Sequence, residues 1–449
     1  MSPDLPGLLS CHSADALVAT GSVPRTAREL LRDVEAIARA LPADIAGREV
    51  VLVAEDRYLF AAALVACTLR GAIAALPPSA QPEMIVEMRY RENVATVLHD
   101  RPGMLGIDLG AIVHDVAGAP CPSFVPLPPL DARLAIVDVY TSGTTGTPMR
   151  CPKTAGQLVR EAGVLRSMFG IAPGTAILAT VPPHHVYGLL FGVLLPLVSG
   201  ASFTRETVLH GEPLAALARR DRARVLVSVP AHLRALRSLD PGSMPPLDRV
   251  FSSGAPLPRE TYDDLAARFG WRVISAYGSS ETGGIGYRDH PDAPWTLFTG
   301  VRIEIGDDER LLVDSPFVDP AAARPFATGD RVERSGERGF RLLGRVDGVL
   351  KIGGTRVSVA ELEHRLLAVP GIEDAAILPV EVGGPRGTEV WAVVVSKVHR
   401  DAQSVRAALL PHLEPVVLPR RVRVVAALPR DGSGKLRRAD LRALFDSRR

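Results

Sequence analysis

Apolar and polar residues recur along the 449-residue chain with two alternating periods. Leu30, Leu31, Val34, Ile37, Ala38 and Leu41 return at helical intervals behind Thr26 and Glu29, which stand at the spacing of a capping box, so a helix covering a core is predicted. An apolar run at 50–54, a helical stretch at 58–69 that ends before Gly71, and a second apolar run at 72–76 follow. Strand, helix and strand at this spacing predict a crossover unit of a parallel sheet. The proline-rich segment 120–130 is expected to run over the surface and deliver the chain into a strand at 134–140. Short apolar runs at 176–181, 225–229, 249–252 and 273–276 then alternate with helical stretches, which makes the main body α/β with parallel-rich sheets.

Residues 186–201 carry no charge and are rich in Leu and Val. The stretch is shorter than the roughly 20 apolar residues of a membrane span, and Pro196 interrupts it, so a buried helix is predicted and no membrane span. After Arg345 the texture changes. Ser358 and Glu361 make a second capping-box spacing, opening a helix through Leu367, while 375–380, 390–396 and 422–428 read as strands around a helix near 402–410. The chain is longer than one hydrophobic core usually supports. A large domain at 1–344 and a small α+β domain at 345–449 are therefore expected, with no internal repeat.

Composition narrows the classes. With 47% apolar and 23% charged residues this is an ordinary globular protein. A formal charge of +2 and aromatics that do not interleave with basic runs give no reason to expect a nucleic-acid partner. Cys11, Cys67, Cys121 and Cys151 lie far apart and form no CxxC pair, which argues against a zinc site or disulfide framework and for a reducing cytoplasm. The first residues lack a basic stretch followed by an apolar run, so no signal peptide is expected. Lysine usage is more informative. Of 52 basic residues only Lys153, Lys351, Lys397 and Lys435 are lysine, and three of these fall inside or just after glycine-punctuated segments, where a compact ammonium on a flexible stem is wanted.

Those segments come in a fixed order: YTSGTTGTP at 140–148, AYGSSE at 276–281, TGD at 328–330, GRVDGVLK at 344–351 and GSGK at 432–435. The first places the hydroxyls of Thr141, Ser142, Thr144 and Thr145 between Gly143 and Gly146 directly after an apolar strand, so amides and hydroxyls can converge on phosphate oxygens. It is not a Walker A loop, since GxxxxGK followed by Ser or Thr occurs neither there nor at 432–435.

The ordered set resembles the adenylate-forming superfamily of acyl-CoA and aryl-CoA ligases, peptide-synthetase adenylation domains and luciferases, over about residues 50–438. The resemblance implies a large N-terminal domain and a small mobile C-terminal one. It also implies ATP and Mg2+ as cofactors, a small carboxylic acid as substrate, and coenzyme A or the phosphopantetheine of an acyl carrier protein as acceptor. Residue by residue it implies that Thr141 to Gly146 hold the leaving pyrophosphate, and that PPHHVYGL at 182–189 lines the acyl pocket with His185 as the family's histidine. It implies too that Gly254, Ala255 and Pro256 of SSGAPL pack against adenine and that, in YGSSE, Tyr277 stacks near it beside Gly278 and Ser279, Ser280 bonds phosphate and Glu281 holds magnesium. The resemblance further implies that Asp330 and Arg345 bind the ribose hydroxyls, that Asp347 is the hinge, that Gly354 borders the thiol tunnel, and that Lys435 bridges carboxylate and phosphoryl oxygens. Chemistry asks for the same cast: a carboxylate attacking a triphosphate is an anion approaching an anion, and cations must neutralise the growing charge. Taken alone, Glu281 also reads as a solvated acid and His185 as a core histidine.

The chain departs from the family at several points. Met149 and Arg150 follow the loop where lysine and glycine are usual, and Lys153 is the candidate replacement. Ser280 stands for threonine, Ser358 and Val359 for glutamate and proline, and the N-terminal region is short. KTAGQL at 153–158 is similar to free-standing ligases of bacterial aryl-polyene and polyketide-type clusters. Residues 401–449 carry eleven Arg and Lys against five Asp and Glu, a surplus that suits an acidic carrier protein or the phosphates of coenzyme A. Two alternatives to an acid–thiol ligase stay open: a non-thiol acceptor and a non-catalytic nucleotide-binding homologue.

Overall fold

The computed structural model describes residues 4–142, 148–209, 211–346, 349–352, 355–382, 388–399, 401–410, 418–431, 434 and 436–446. They form two compact units, one of residues 1–302 with 314–322, the other of 303–313 with 323–449. A large N-terminal and a small C-terminal unit are present, as expected, with 303–322 divided between them.

The first unit opens with helix α1 (Ala27–Ala40), capped at Thr26 by reciprocal bonds with Glu29. Strand β1 (Glu49–Val53), helix α2 (Arg57–Leu69) and strand β2 (Ile73–Leu76) make the predicted crossover, with β1 and β2 parallel from Glu49 against Ile73. Strand β3 (Val94–His99) adds on the other side of β1. Strand β4 (Ala135–Ser142) runs parallel to β2, and β5 (Pro148–Thr154) returns antiparallel to β4 with Pro148 opposite Ser142. The sequence predicts β4 but not β5. The run MRCPKT lacks the alternation that marks a strand, and pairing with β4 overrides its weak propensity.

Helix α3 (Ala155–Phe169) starts from Thr154, whose hydroxyl accepts from the Gln157 amide while Gln157 bonds back to the Thr154 N–H. A second sheet follows, with parallel strands β6 (Ala176–Ala179), β7 (Ser202–Thr204), β8 (Val225–Ser228), β9 (Arg249–Ser252) and β10 (Val273–Ser279) in the spatial order β7, β6, β8, β9, β10. Antiparallel β11 (Gly283–Arg288) and β12 (Trp295–Leu297) extend it beyond β10. These two were not predicted; GGIGYR has too few apolar residues to reveal a strand held by its hairpin.

Residues 186–199 are helical, with a π-helical stretch at 190–194 and nearly every residue from 188 on buried, which matches the buried helix read from sequence. Among the described residues no helix is long and apolar enough to cross a membrane. Helix α2 is buried from Arg57 through Thr68. Arg57 itself is fully buried and donates to the carbonyls of Thr204, Ala179 and Val181 at 2.7, 3.2 and 2.8 Å, so the helix start is bolted to the ends of β7 and β6.

In the second unit β13 (Arg310–Asp314), β14 (Phe326–Arg334) and β15 (Gly339–Arg345) form an antiparallel meander. A two-stranded ribbon, β16 (Val349–Ile352) and β17 (Thr355–Ser358), leads into helix α4 (Val359–Leu367). Strands β18 (Ile372–Glu381), β19 (Thr388–Ser396) and β20 (Arg421–Val425) form a sheet with helices α5 (Ala402–Leu409) and α6 (Arg438–Asp446). Leu362, Leu366, Ile377, Val394, Val405 and Leu409 fill its core on one side.

Candidate active site

Parallel strands of an α/β sheet leave their carboxyl ends as the natural binding edge. Here the loops after β6, β9 and β10 are the segments 180–185, 253–258 and 280–282, the same three that the sequence marks. The first two turns are laced together or shaped by local chemistry. Thr180 Oγ1 lies 2.9 Å from both Ser228 Oγ and His232 Nδ1, joining the ends of β6 and β8. Gly254 adopts φ 87°, a conformation that side chains disfavour, and the Ser253 hydroxyl donates to the Ala276 carbonyl at 2.9 Å, fixing the 253–256 turn against β10 beside Tyr277. The Tyr277 ring packs 5.3 Å from that of Trp295.

The turn between β10 and β11 carries Ser280 and Glu281. It is closed by Ser279 and Thr282: the Ser279 N–H donates to Thr282 Oγ1 at 3.1 Å and the Thr282 N–H to Ser279 Oγ at 3.2 Å. Gly278 is required there, since a Cβ would lie 2.2 Å from the Gly283 carbonyl oxygen. Ser280 is buried at 8% exposure and Glu281 is half-buried. Among the described residues the Glu281 carboxylate carries no hydrogen bond or ion pair.

This turn is held from behind by the hairpin that frames the 141–148 loop. The Cys151 thiol donates to the Ser280 carbonyl at 3.1 Å; burial pushes that thiol up to about 11, so it keeps its proton. Lys153, expected as a nucleotide contact, is only 2% exposed, and its Nζ donates to the carbonyls of Glu281 and Phe317 at 3.3 Å each. Its place is inside the protein, under the turn. Glu161 of α3 accepts from the Gly284 N–H at 2.6 Å, and burial raises its carboxyl to about 7 against the smaller opposing effects of that bond and of the Lys153 charge. Arg150 has a different duty, its Nε lying 2.8 Å from the fully buried Asp138 and 3.7 Å from Glu49, while Met149 is largely exposed.

His185 is half-buried at the start of the 186–199 helix, its ring 4.4 Å from that of His184. Burial, then the neighbouring His185 and Arg101, depress His184 to about 3, so it is neutral. In the second unit Asp330 and Arg345 stand opposite one another on β14 and β15, with Nη1 3.6 Å from Oδ1. The Asp330 N–H is held by Thr328 Oγ1 at 3.1 Å, and that hydroxyl donates to the Leu311 carbonyl. Of the other expected residues, Thr141 and Ser142 end β4, whereas Gly143, Thr144, Thr145, Gly146, Asp347, Gly354 and Lys435 lie outside the described residues. Sequence reading missed Cys151, Glu161 and Thr282. The Thr154-x-x-Gln157 spacing was a usable sign that the segment after the loop is a packed helix start.

The donor set suits magnesium. Mg2+ is bound through one or two carboxylates together with substrate phosphates, not in an all-protein cage. Glu281 offers one unengaged carboxylate, and the described residues contain no cluster of three His, Cys, Asp or Glu that would hold a metal by itself.

Residues 11–315 match the AMP-binding enzyme family and 361–435 the AMP-binding enzyme C-terminal domain. A 4-coumarate–CoA ligase of Rhodobacter capsulatus is 34% identical over 305 residues, 66% of this chain and 73% of that protein. A 3,4-dihydroxybenzoate–[aryl-carrier protein] ligase of Bacillus anthracis is 26% identical, over 67% of this chain and 71% of its own length. The fold matches o-succinylbenzoate CoA synthetase from Bacillus subtilis, in complex with its acyl-adenylate intermediate, with a TM-score of 0.82 at 19% identity over 98% of both chains. The chain belongs to the AMP-binding enzyme family, the adenylate-forming, AMP-forming ligases.

Proposed function

We propose that this protein adenylates a small aryl or fatty carboxylic acid with ATP and passes the acyl group to a phosphopantetheine thiol, of an acyl carrier protein in preference to free coenzyme A. The observation that carries the reading is the 3.1 Å bond from Cys151 to the Ser280 carbonyl, which joins the strand leaving the 141–148 loop to the turn presenting Glu281. The strand that follows the first motif thereby adjoins the second.

In the first step the acid's carboxylate oxygen forms a bond to the α-phosphorus while the bond to the departing pyrophosphate breaks. Thr141 to Gly146 hold the pyrophosphate, Ser280 bonds a phosphate oxygen, and Glu281 holds the metal, which when bound neutralises charge on the phosphates. Lys435 spans the carboxylate and the α-phosphoryl oxygens. Gly254, Ala255, Pro256 and Tyr277 take the adenine, and Asp330 with Arg345 takes the ribose diol, one accepting and the other donating hydrogen bonds. His185 borders the acid. In the second step the thiolate attacks the acyl carbon and AMP departs, with residues 345–449 turning about Asp347 so that Gly354 borders the incoming thiol. The 4-coumarate–CoA ligase and the 3,4-dihydroxybenzoate–[aryl-carrier protein] ligase are named for aryl acids and for one acceptor each, which supports an aryl acid and either acceptor. A cytoplasmic location accompanies this reading, on the four scattered cysteines.

The test is carboxylate-dependent exchange of labelled pyrophosphate into ATP across a panel of aryl and fatty acids, followed by transfer to coenzyme A and to holo-carrier protein. Exchange with a subset of acids is expected. No exchange with any acid overturns the reading.

A further inference from the structure

Lys153 is a deeply buried cation beneath the Glu281 turn, and its ammonium meets no carboxylate at ion-pair distance among the described residues. Both of its bonds go to main-chain carbonyls, those of Glu281 and Phe317, at 3.3 Å. The two acceptors are not equivalent. The Phe317 carbonyl also receives Gln157 Nε2 at 2.9 Å, whereas the Glu281 carbonyl has only Lys153 among the described residues. The flanking residues are held from the same side, Ser280 through Cys151 and Gly284 through Glu161. A half-buried carbonyl stripped of its charged donor loses more than an ordinary hydrogen bond, because the bond removed is charge-assisted.

Resting on the reading above, we propose that Lys153 is a positioning residue for the metal-binding turn: it grips the Glu281 main chain from inside the protein so that the Glu281 carboxylate stands free on the other side. On this view the chain does not move the missing loop lysine a few residues along. It uses a lysine at 153 to stiffen the turn that holds the metal, while Met149 stays in solvent and Arg150 is spent on Asp138.

Lys153→Met keeps the length of the side chain and removes the donor. The comparison variant is Gln157→Leu, which loosens Phe317 and the start of α3 but leaves the Glu281 carbonyl bonded. The first measurement is amide hydrogen exchange of the protein without ligands. Lys153→Met is expected to speed exchange at 280–284 by about tenfold with little change elsewhere, and Gln157→Leu to leave 280–284 close to wild type. The second is the Mg2+ concentration giving half-maximal ATP–pyrophosphate exchange, expected to rise about tenfold in Lys153→Met with the KM for the acid unchanged, and not to move in Gln157→Leu. Unchanged exchange at 280–284, a loosening no more local than that of Gln157→Leu, or an unmoved Mg2+ midpoint in an active variant would each overturn the proposal. If the wild-type protein exchanged with no acid, the functional reading would fail by itself, and the amide measurement would still decide the role of Lys153.

Discussion

Asp330 and Arg345 are cross-strand partners, paired in register on antiparallel strands β14 and β15 with their charged ends 3.6 Å apart. The separation is long for a hydrogen bond and right for an ion pair. Arg345 is 58% exposed at its side chain and Asp330 23%, which leaves both reachable.

Asp330→Ala is therefore expected to raise the KM for ATP about 10- to 100-fold, the range for losing hydrogen bonds to a charged group, with a smaller change in kcat. Steady-state exchange kinetics at varied ATP read this directly. A fall in kcat at unchanged KM would place Asp330 elsewhere than on the ribose.

Glu281→Gln removes one charge and no internal bond, because the carboxylate is unengaged among the described residues. Folding stability should stay within about 0.5 kcal/mol of wild type, as for surface substitutions away from special features, while exchange activity falls at least about 100-fold. Denaturant unfolding beside the exchange assay separates the two effects. Equal losses of stability and activity would show Glu281 to be structural.

Glu161 gives a pH prediction. Its carboxyl titrates at about 7 in the folded protein against 4.5 in a free chain, chiefly because it is buried. Between those values the folded state holds a proton that the unfolded state has lost. The stability tied to Glu161 is thus complete below pH 4.5 and declines as pH rises through about 7, with a slope of at most about 1.4 kcal/mol per pH unit. Glu161→Gln keeps an acceptor for the Gly284 N–H and cannot ionise, so it should flatten that part of the profile. An identical profile in wild type and variant would remove Glu161 as its cause.

Much of this arrangement was legible in the residues, and the illegible part has a common physical origin. Thr26 and Glu29 announced α1, and the crossover through β1, α2 and β2 came within a residue or two of its observed limits, because capping and burial are local patterns. Strands β5 and β11 were not readable, since each is held by hairpin pairing and not by its own side chains. The same strands decide the site. Lys153 was picked out by its rarity, yet only the pairing of β5 with β4 shows that its side chain points under the Glu281 turn and not into the loop. Arg57 left no trace in the sequence, because carbonyl partners at the ends of β6 and β7 are supplied by residues more than a hundred positions away.

Arg57→Met tests that last point. The guanidinium makes its bonds to carbonyls of Ala179, Val181 and Thr204 while fully buried, and burial lowers it to about 10, still charged at neutral pH. Methionine fills the volume and leaves three buried acceptors without their donor, so a loss of roughly 2–4 kcal/mol is expected in denaturant unfolding. A loss under about 0.5 kcal/mol would mean that other donors or water replace the guanidinium.

The basic surplus of the last fifty residues makes a final prediction about the acceptor. Arg430 does not contribute to it outwardly, since it is bonded to both carboxylate oxygens of Asp374 at 3.0 and 3.2 Å. Arg438 and Arg442 are exposed, one turn apart on α6, and Arg421, also exposed, lies over the Trp391 ring at 4.3 Å. Exposed like charges on one helix face attract an acidic partner at long range, and salt screens that attraction over about 10 Å at 0.1 M. Arg438→Glu combined with Arg442→Glu is therefore expected to raise the KM for a holo-carrier protein about 5- to 10-fold and to flatten its salt dependence, with ATP–pyrophosphate exchange unchanged because no carrier takes part in that step. Transfer to free coenzyme A is the control. If it weakened by the same factor, the charges would serve the phosphates of coenzyme A; if neither moved, α6 would be an ordinary solvated helix and carrier docking would have to be sought on another face.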